Sequence, residues 1–401
     1  MRILLITETV PYPLDSGGRI KTWHTLQVLA RRHEVHLHAF IRDTGAGTGA
    51  AERALGAHAA SVTLHLLPPG LAREARGLAR SVTANQPFTV ARHWSPEAAR
   101  RMADAARATG ADVVYADHLS MLPYAEPLGL PIVHDAHNVE YEIVRRYAAT
   151  ADPARRAFAE VEWRRLRAYE RAAYERCQVI TVVSSRDAEH LRALGVRRPE
   201  IHVGPIAFDH QSVCPVPSRG VPDGPPTVLF VGGLHWPPNA QGVAWCVEHV
   251  WPQVTRAVPG ARFVIVGRAS DGQRRALEAT AGVSVVGYVD DVGEWFARAR
   301  AFVIPLLSGG GMRVKMLEAF ARGVPVVATP VGAEGIDARE RDTWLAAESP
   351  GAFAEAVGRV LGDGALAAGM RARGLRLVEA DYSVEAVGAK LEAALSGVSQ
   401  D

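Results

Sequence analysis

Three consecutive glycines, Gly309, Gly310 and Gly311, close an apolar run and lead into Met312, Arg313, Lys315 and Glu318, within IPLLSGGGMRVKMLEAFARGVPVVAT at residues 304 to 329. Glycine lets backbone approach a ligand closely, and a helix beginning near Met312 would leave unbonded amides beside two cations. Amides and cations converging on one point form a cradle for a diphosphate. There Arg313 and Lys315 can stabilise charge on a departing group. Glu318, one turn further along the same helix, is placed to accept hydrogen bonds from ribose hydroxyls. The competing reading is a glycine-rich turn with a solvated pair of cations.

Three other loops carry residues of the right type. In TETVPYPLDSGGRIK, Gly17 and Gly18 immediately precede a helical stretch from Arg19; the start of a helix favours anions, although a tight turn would read the same. In HDAHNVE, residues 134 to 140, His134 falls inside a strand and reads as structural, whereas His137 falls at its carboxyl end and reads as functional. Two histidines three apart would need a helix and a third ligand to hold a metal, and a strand ending here argues against that. In VGYVDD, the amides of Tyr288 and Val289 could meet a base, or Tyr288 could cap the core. Lysine usage adds a pointer: among 45 basic residues only Lys21, Lys315 and Lys390 are lysine. Where arginine is the default, a retained lysine marks a place for a compact ammonium; Lys390 reads as an ordinary helix position.

These loops need rigid elements to hold them. Short β-rich apolar runs alternate with helical stretches, the pattern of parallel sheets wrapped by helices, in which ligands gather at the carboxyl ends of strands. One series of expected strands is Arg2–Thr7, Val35–Phe40, Ser61–Leu67, Val113–Asp117, Pro131–Ala136, Val179–Ser184 and Ile201–Pro205. The second is Thr227–Gly233, Arg262–Gly267, Val283–Gly287, Ala301–Leu306, Pro325–Thr329 and Thr343–Ala347. Between them, residues 207 to 226 are too rich in proline and glycine for a regular element and read as a linker. Asp152–Arg176 reads as one long helix, either with a solvated face laced by pairs such as Glu160 with Arg164 or as a basic amphipathic helix at a membrane surface. Ser383 is a candidate N-cap for the last helix, to Leu395.

With 401 residues, 48% of them apolar, the chain is long enough for two or three domains. Its net charge of +2, from 45 basic and 43 acidic residues without a like-charged block, lacks the excess that a nucleic-acid footprint needs. Cys177, Cys214 and Cys246 stand far apart with no CxxC, which argues against a disulfide framework or thiolate zinc site and fits a reducing cytoplasm. MRILLITETVPYP lacks the pattern of a signal peptide, and nowhere do 18 apolar residues run together. The expectation is a cytoplasmic protein with at most peripheral membrane contact.

In order and spacing, the P-x-P…G-G loop, H-N-x-E, VLFVGG, FVIVG and the helix ending LEAFARGVPVV resemble the retaining GT-B glycosyltransferases of family GT4, over nearly the whole chain. The resemblance implies an α/β GT-B fold, two Rossmann-like parallel-sheet domains facing a central cleft. The implied division is an acceptor-side domain at 1–206, the linker at 207–226, a nucleotide-sugar-binding domain at 227–380, and a C-terminal segment 381–401 able to pack back on the first domain. It implies a nucleoside-diphosphate sugar donor and a small-molecule, lipid-linked or polysaccharide acceptor. His137 matches the histidine near the donor sugar, Glu318 the ribose carboxylate, and Tyr288 and Val289 the backbone around the base.

Two departures stand out. The first acid of the family's E-x7-E pair is replaced by Gly310, and Gly233 and Asn239 stand where an arginine and a lysine usually follow the first strand of the second domain. Arg313 and Lys315 can substitute, as in the G-G-G-x-R-x-K-x-L-E variant of the family, and no Asp-x-Asp motif asks for a metal. The expected catalytic residues are therefore His137, Arg313 and Lys315, with no cofactor. A GT-B nucleotide-sugar epimerase and a non-catalytic sugar-nucleotide-binding subunit are the rival readings. A nicotinamide oxidoreductase is disfavoured because no GxGxxG follows the opening strand.

Overall fold

The structure, a computed structural model, describes residues 1–14, 16–42, 48–67, 69–213, 224–309, 311–338 and 343–400. Gly310, Cys214 and half of the expected linker, residues 214 to 223, lie outside the described residues. The apolar runs form strands that pair in parallel throughout. In the first sheet these are β1 (Arg2–Thr7), β2 (Glu34–Ile41), β3 (Ser61–Leu66), β4 (Val113–Asp117), β5 (Ile132–Ala136), β6 (Val179–Val182) and β7 (Glu200–Val203), in the order β3-β2-β1-β4-β5-β6-β7. The second sheet holds β8 (Thr227–Val231), β9 (Arg262–Val266), β10 (Val283–Gly287), β11 (Ala301–Ile304), β12 (Val326–Ala328) and β13 (Trp344–Ala346), in the order β10-β9-β8-β11-β12-β13. Parallel strands covered by helices on both faces are buried from end to end, as β4, β5 and β11 are, which is why most read as apolar runs, broken only by Asp117 in β4 and by His134 and Asp135 in β5.

Several strands stop short of the expected ends, each for a local reason. β6 ends at Val182 because Ser184 is the N-cap of the next helix, its side chain accepting from the Asp187 amide at 3.2 Å. β11 ends at Ile304 because Pro305 has no amide to offer a neighbour. The helix expected near Met312 begins at Val314: Gly309 and Gly311 have φ of 111° and 80°, and Arg313 takes the N-cap position with φ −90°. The start of the stretch 207 to 226 is not featureless, since Phe208 bridges Ser383 and a 3-10 turn covers His210–Ser212. The long helix spans Pro153–Tyr174, capped by Asp152, whose carboxylate accepts from the Arg155 amide at 3.2 Å. Ser383 accepts from the Ala386 amide at 3.1 Å and so caps the final helix, Val384–Ser396.

The chain folds as two units, Met1–Ala207 with Val387–Asp401, and Phe208–Ala386. The last helix thus belongs to the first unit, where His33 meets Glu392 at 3.3 Å and where Leu391, Ala394 and Leu395 are buried. Cys177 and Cys246 are buried free thiols. Among the described residues no helix is long and apolar enough to cross a membrane.

Candidate functional site

In the first unit the site follows from strand register. Thr7 is level with Asp117, Asp117 with Asp135, and Asp135 with Thr181, across β1, β4, β5 and β6. Level residues of a parallel sheet project on one face, so four strand ends present a row of polar side chains. The Thr7 hydroxyl donates to Asp117 at 2.7 Å and the Thr181 hydroxyl to Asp135 at 2.8 Å. Helix Gly17–Ala30, which follows β1, covers that row: Thr22 donates to Asp117 at 2.8 Å and Lys21 forms a buried ion pair with Asp135. The Tyr115 hydroxyl completes the shell of Asp135 at 2.9 Å. Two adjacent buried carboxylates are tolerable because each is surrounded by donors.

Two imidazoles close on Asp117. His137 Nε2 lies 2.6 Å from Oδ1 and His118 Nδ1 lies 3.1 Å from Oδ2, with ring centroids 3.9 Å apart. Burial opposes charge on His118, but the Asp117 carboxylate outweighs it and pushes the ring up to about 10. Burial, reinforced by the neighbouring His118 charge, holds His137 below the ordinary histidine value despite Asp117. Asp117 itself is held well below the usual carboxylate range, because both histidines overcome its burial. With His137 neutral and Nε2–H donating to Asp117, its Nδ1 is left as an acceptor; a charged His118 keeps Nε2–H as a donor. A donor and an acceptor side by side suit a hydroxyl group.

The backbone of the first helical turn lies over both rings, since a Cβ built on Gly18 would be 3.7 Å from His137 Nδ1 and 3.9 Å from His118 Nε2. Next to this point is a cavity of about 150 Å³ lined by Thr9, Ser16, Gly18, Arg19, Thr22 and His118. His118 has φ +79°, a backbone region that costs about 1–3 kcal/mol outside glycine and is retained mostly at functional sites. His134 is fully buried, with Nδ1 2.9 Å from the Ala116 carbonyl, and serves the sheet. Asp117, His118 and His137 bring three potential ligand atoms within 4.8 Å of one another. A cation there would have to displace hydrogen bonds that already fill Asp117 from Thr7, Thr22, His118 and His137.

In the second unit, the strand order reverses between β8 and β11, and the residues after these two strands converge. Lys315 Nζ donates to Asn239 Oδ1, while Asn239 Nδ2 donates to the Gly233 carbonyl at 2.9 Å. A Cβ on Gly232 would lie 2.7 Å from Lys315 Nζ, so the ammonium sits close against this backbone. The cation therefore reaches the segment after β8 in which Gly233, in the loop, and Asn239, on the helix Pro237–Trp245, break the family pattern. Burial, with Arg313 nearby, pushes Lys315 down to about 7. Arg313 is buried, with Nε donating to the Val331 carbonyl at 3.1 Å, and a Cβ on Gly309 would lie 3.4 Å from its guanidinium. Met312 precedes it in the loop and Gly311 takes a left-handed turn.

Glu318 accepts from Arg322 Nε at 3.2 Å, and burial raises its carboxyl although Arg322 pulls the other way. Tyr288, at the end of β10, is 63% exposed, and the Arg268 guanidinium lies 4.8 Å over its ring; Val289 follows, packed at the edge of the core. Of the expected residues, the structure brings Gly18 and His137 together in one unit and Arg313, Lys315 and Gly309 in the other. It adds Asp117, His118 and Asp135, which sequence reasoning did not assign, and sets Lys21, singled out as a retained lysine, on Asp135. A usable signal was present: Lys21 is one of three lysines, and an Asp-His pair closes β4.

The profile described as "Glycosyl transferases group 1" matches residues 225–363, and "Glycosyltransferase Family 4" matches residues 22–212. An uncharacterised 44.6 kDa protein in the cps region of Klebsiella pneumoniae is 28% identical over 136 residues, 32% of this chain and 35% of that protein, so the match spans about a third of the relative's length. Anabaena HepE in complex with UDP and glucose is similar in structure, with a TM-score of 0.66 at 15% identity over 99% of both chains. Sucrose-phosphate synthase from Thermosynechococcus elongatus gives 0.69 at 18% identity, over 99% of this chain and 98% of that one. The lipopolysaccharide outer core galactosyltransferase WaaB gives 0.63 at 15% identity over 99% of both. With one profile on each unit and the GT-B architecture shared along the chain's length, this protein belongs to the family GT4 glycosyltransferases.

Proposed function

We propose that the chain transfers a sugar from a nucleoside-diphosphate sugar to a small-molecule, lipid-linked or polysaccharide acceptor, with retained anomeric configuration and without a metal ion. The observation that carries this reading is Lys315: a half-buried cation at a glycine-rich helix start, held by a neutral amide. Glu318 is the acid that acts on this ammonium, but its carboxylate is bonded to Arg322, so an arriving anion would supply the direct partner, which is what a diphosphate site requires. The complex of HepE with UDP and glucose supports the donor class. In this reading Arg313, Lys315 and the amides around Gly309 to Met312 hold the diphosphate and stabilise the charge it gains as the glycosidic bond breaks. Glu318 accepts from the ribose, and the backbone at Tyr288 and Val289 borders the base. The acceptor oxygen forms the new bond to the anomeric carbon, and its proton passes to a phosphate oxygen of the departing diphosphate. His137, with Gly17 and Gly18 beside it, orients a sugar hydroxyl instead of taking that proton.

The test is a matrix of nucleoside-diphosphate sugars and acceptors read by mass spectrometry, with the anomeric configuration of any product read by NMR. A glycosylated acceptor with the donor's configuration supports the reading. Release of an epimerised sugar nucleotide without acceptor, or binding without turnover across the matrix, overturns it.

A further inference from the structure

Helix Leu71–Thr83 in the first unit turns its polar side inward. Leu71, Ala75, Leu78 and Val82 recur at i, i+4, i+7 and i+11 and so share one side; Leu71, Leu78 and Val82 are exposed, Leu71 and Val82 to 89% and 75%. The buried side consists of Arg73, Gly77 and Ser81. Arg73 Nε donates to the Arg92 carbonyl at 3.3 Å, the Ser81 hydroxyl donates to the Gln86 carbonyl at 2.7 Å, and the Arg80 guanidinium lies 4.0 Å over the Trp94 ring. A Cβ on Gly77 would sit 2.8 Å from Arg92 Cα, so the helix docks backbone against backbone. Surface helices ordinarily bury the apolar stripe and wet the polar one. Here the polar side makes the fold and the apolar stripe is left outside.

The long helix Pro153–Tyr174 extends that stripe. Arg165 donates to the Ser81 hydroxyl, the Ser81 carbonyl and the Gln86 carbonyl, each at 2.9 Å, and the Phe158 ring meets Phe88 edge-on with centroids 5.8 Å apart. Within two turns of Arg165, Phe158 and Val161 are themselves more than half exposed, at 52% and 60%. Of the nine arginines on the two helices, three turn inward and Arg76, Arg155, Arg156, Arg164, Arg167 and Arg171 are exposed; of the four glutamates, Glu162 and Glu170 are buried and Glu160 pairs with Arg164. An exposed apolar stripe bordered by arginines matches an anionic bilayer, where side chains enter among the acyl chains while guanidiniums reach lipid phosphates. A second copy matches poorly, because a two-fold contact would set this arginine-rich face against itself.

We propose that this face docks on an anionic lipid bilayer, with Leu71, Leu78, Val82, Phe158 and Val161 entering the headgroup boundary and the surrounding arginines meeting lipid phosphates. The docking does not depend on which reaction the protein performs. Flotation of the full chain with vesicles of phosphatidylcholine and phosphatidylglycerol, against phosphatidylcholine alone, tests it. The chain is expected to float with the anionic vesicles, and the triple variant Leu71→Gln, Leu78→Gln, Val82→Gln to lose partitioning by on the order of tenfold or more. Because those three side chains face solvent, the variant should melt at the parental temperature, which separates lost docking from lost folding. Parental protein that stays behind, or a variant that floats equally well, overturns the proposal. A parental dimer that the triple variant converts to monomer in light scattering also overturns it and assigns the face to a second copy.

Discussion

Lys315 Nζ lies 3.1 Å from Asn239 Oδ1 and 4.6 Å from the centre of the Phe230 ring, so a single ammonium joins β8 and the helix Pro237–Trp245 that follows it to the helix after β11. Burial and Arg313 leave its pKa at about 7. A bound diphosphate would favour the protonated form, so binding should take up a proton, with affinity highest below about pH 7 and falling as the pH rises toward about 9. Calorimetry with UDP across that range, in buffers of different ionisation enthalpy, reads both effects. Lys315→Met should flatten the slope; an unchanged slope in that variant would remove Lys315 from the anion site.

If negative charge on the diphosphate grows as the sugar leaves, cations beside it act more strongly on the transition state than on the bound donor. Arg313→Ala and Lys315→Ala are each expected to lower turnover at saturating donor by on the order of 10²-fold, the scale for preorganised charge stabilisers. Near-parental turnover in both variants would move the cradle elsewhere, with Arg19, which lines the cavity beside Gly18, next in line.

Glu318→Ala should weaken binding of the nucleoside diphosphate by about 1–3 kcal/mol, the range for a hydrogen bond involving a charged group. His137→Ala should leave that affinity nearly intact and cut turnover. The two variants are compared by titration and by initial rates. If His137→Ala loses affinity and rate in parallel, the histidine is structural.

The charged His118 beside Asp117 makes stability depend on pH with a definite sign. Its folded pKa, about 10, lies above the ordinary 6.5, so its contribution is complete below about pH 6.5 and fades as the pH rises through about 10. Thermal melts over that interval should fall more steeply for the parental chain than for His118→Gln. Parallel curves would show that the ring is not held charged.

Turnover should persist in excess chelator, because the proposed leaving-group stabilisation comes from Arg313, Lys315 and backbone amides. Activity that disappears with chelator and returns with added magnesium or manganese would refute this. In that case the trio Asp117, His118 and His137 becomes the first place to look for the ion.

Much of this architecture was open to sequence reading, because parallel strands buried on both faces leave long apolar runs that few other arrangements produce. Strand ends were harder: the polar residues Ser184 and Ser185 could extend β6 or start a helix, and only the capping bond from the Asp187 amide to Ser184 distinguishes the two. The glycine-rich loop with Arg313 and Lys315 was visible because its residues are consecutive. The Asp117 network was not, since Thr22 and Lys21 stand 95 and 114 residues from the carboxylates they meet, and a register links them that no local pattern encodes. Helical period likewise reveals that Leu71, Leu78 and Val82 share a side, but it is silent on whether that side faces the core or water.

The return of the final helix to the first unit has a practical consequence. Phe208 N donates to the Tyr382 carbonyl at 2.7 Å, so the second unit's entry and exit lie side by side. The helix beyond fits against the first unit closely enough that a Cβ on Gly388 would be 3.3 Å from Val28. A backbone break introduced between 207 and 226 would therefore give two fragments, the later one bearing a helix that completes the earlier. Co-expressed, such halves form a self-complementing split protein, whereas deleting residues 387 to 401 would uncover the core of the unit at the opposite end of the sequence.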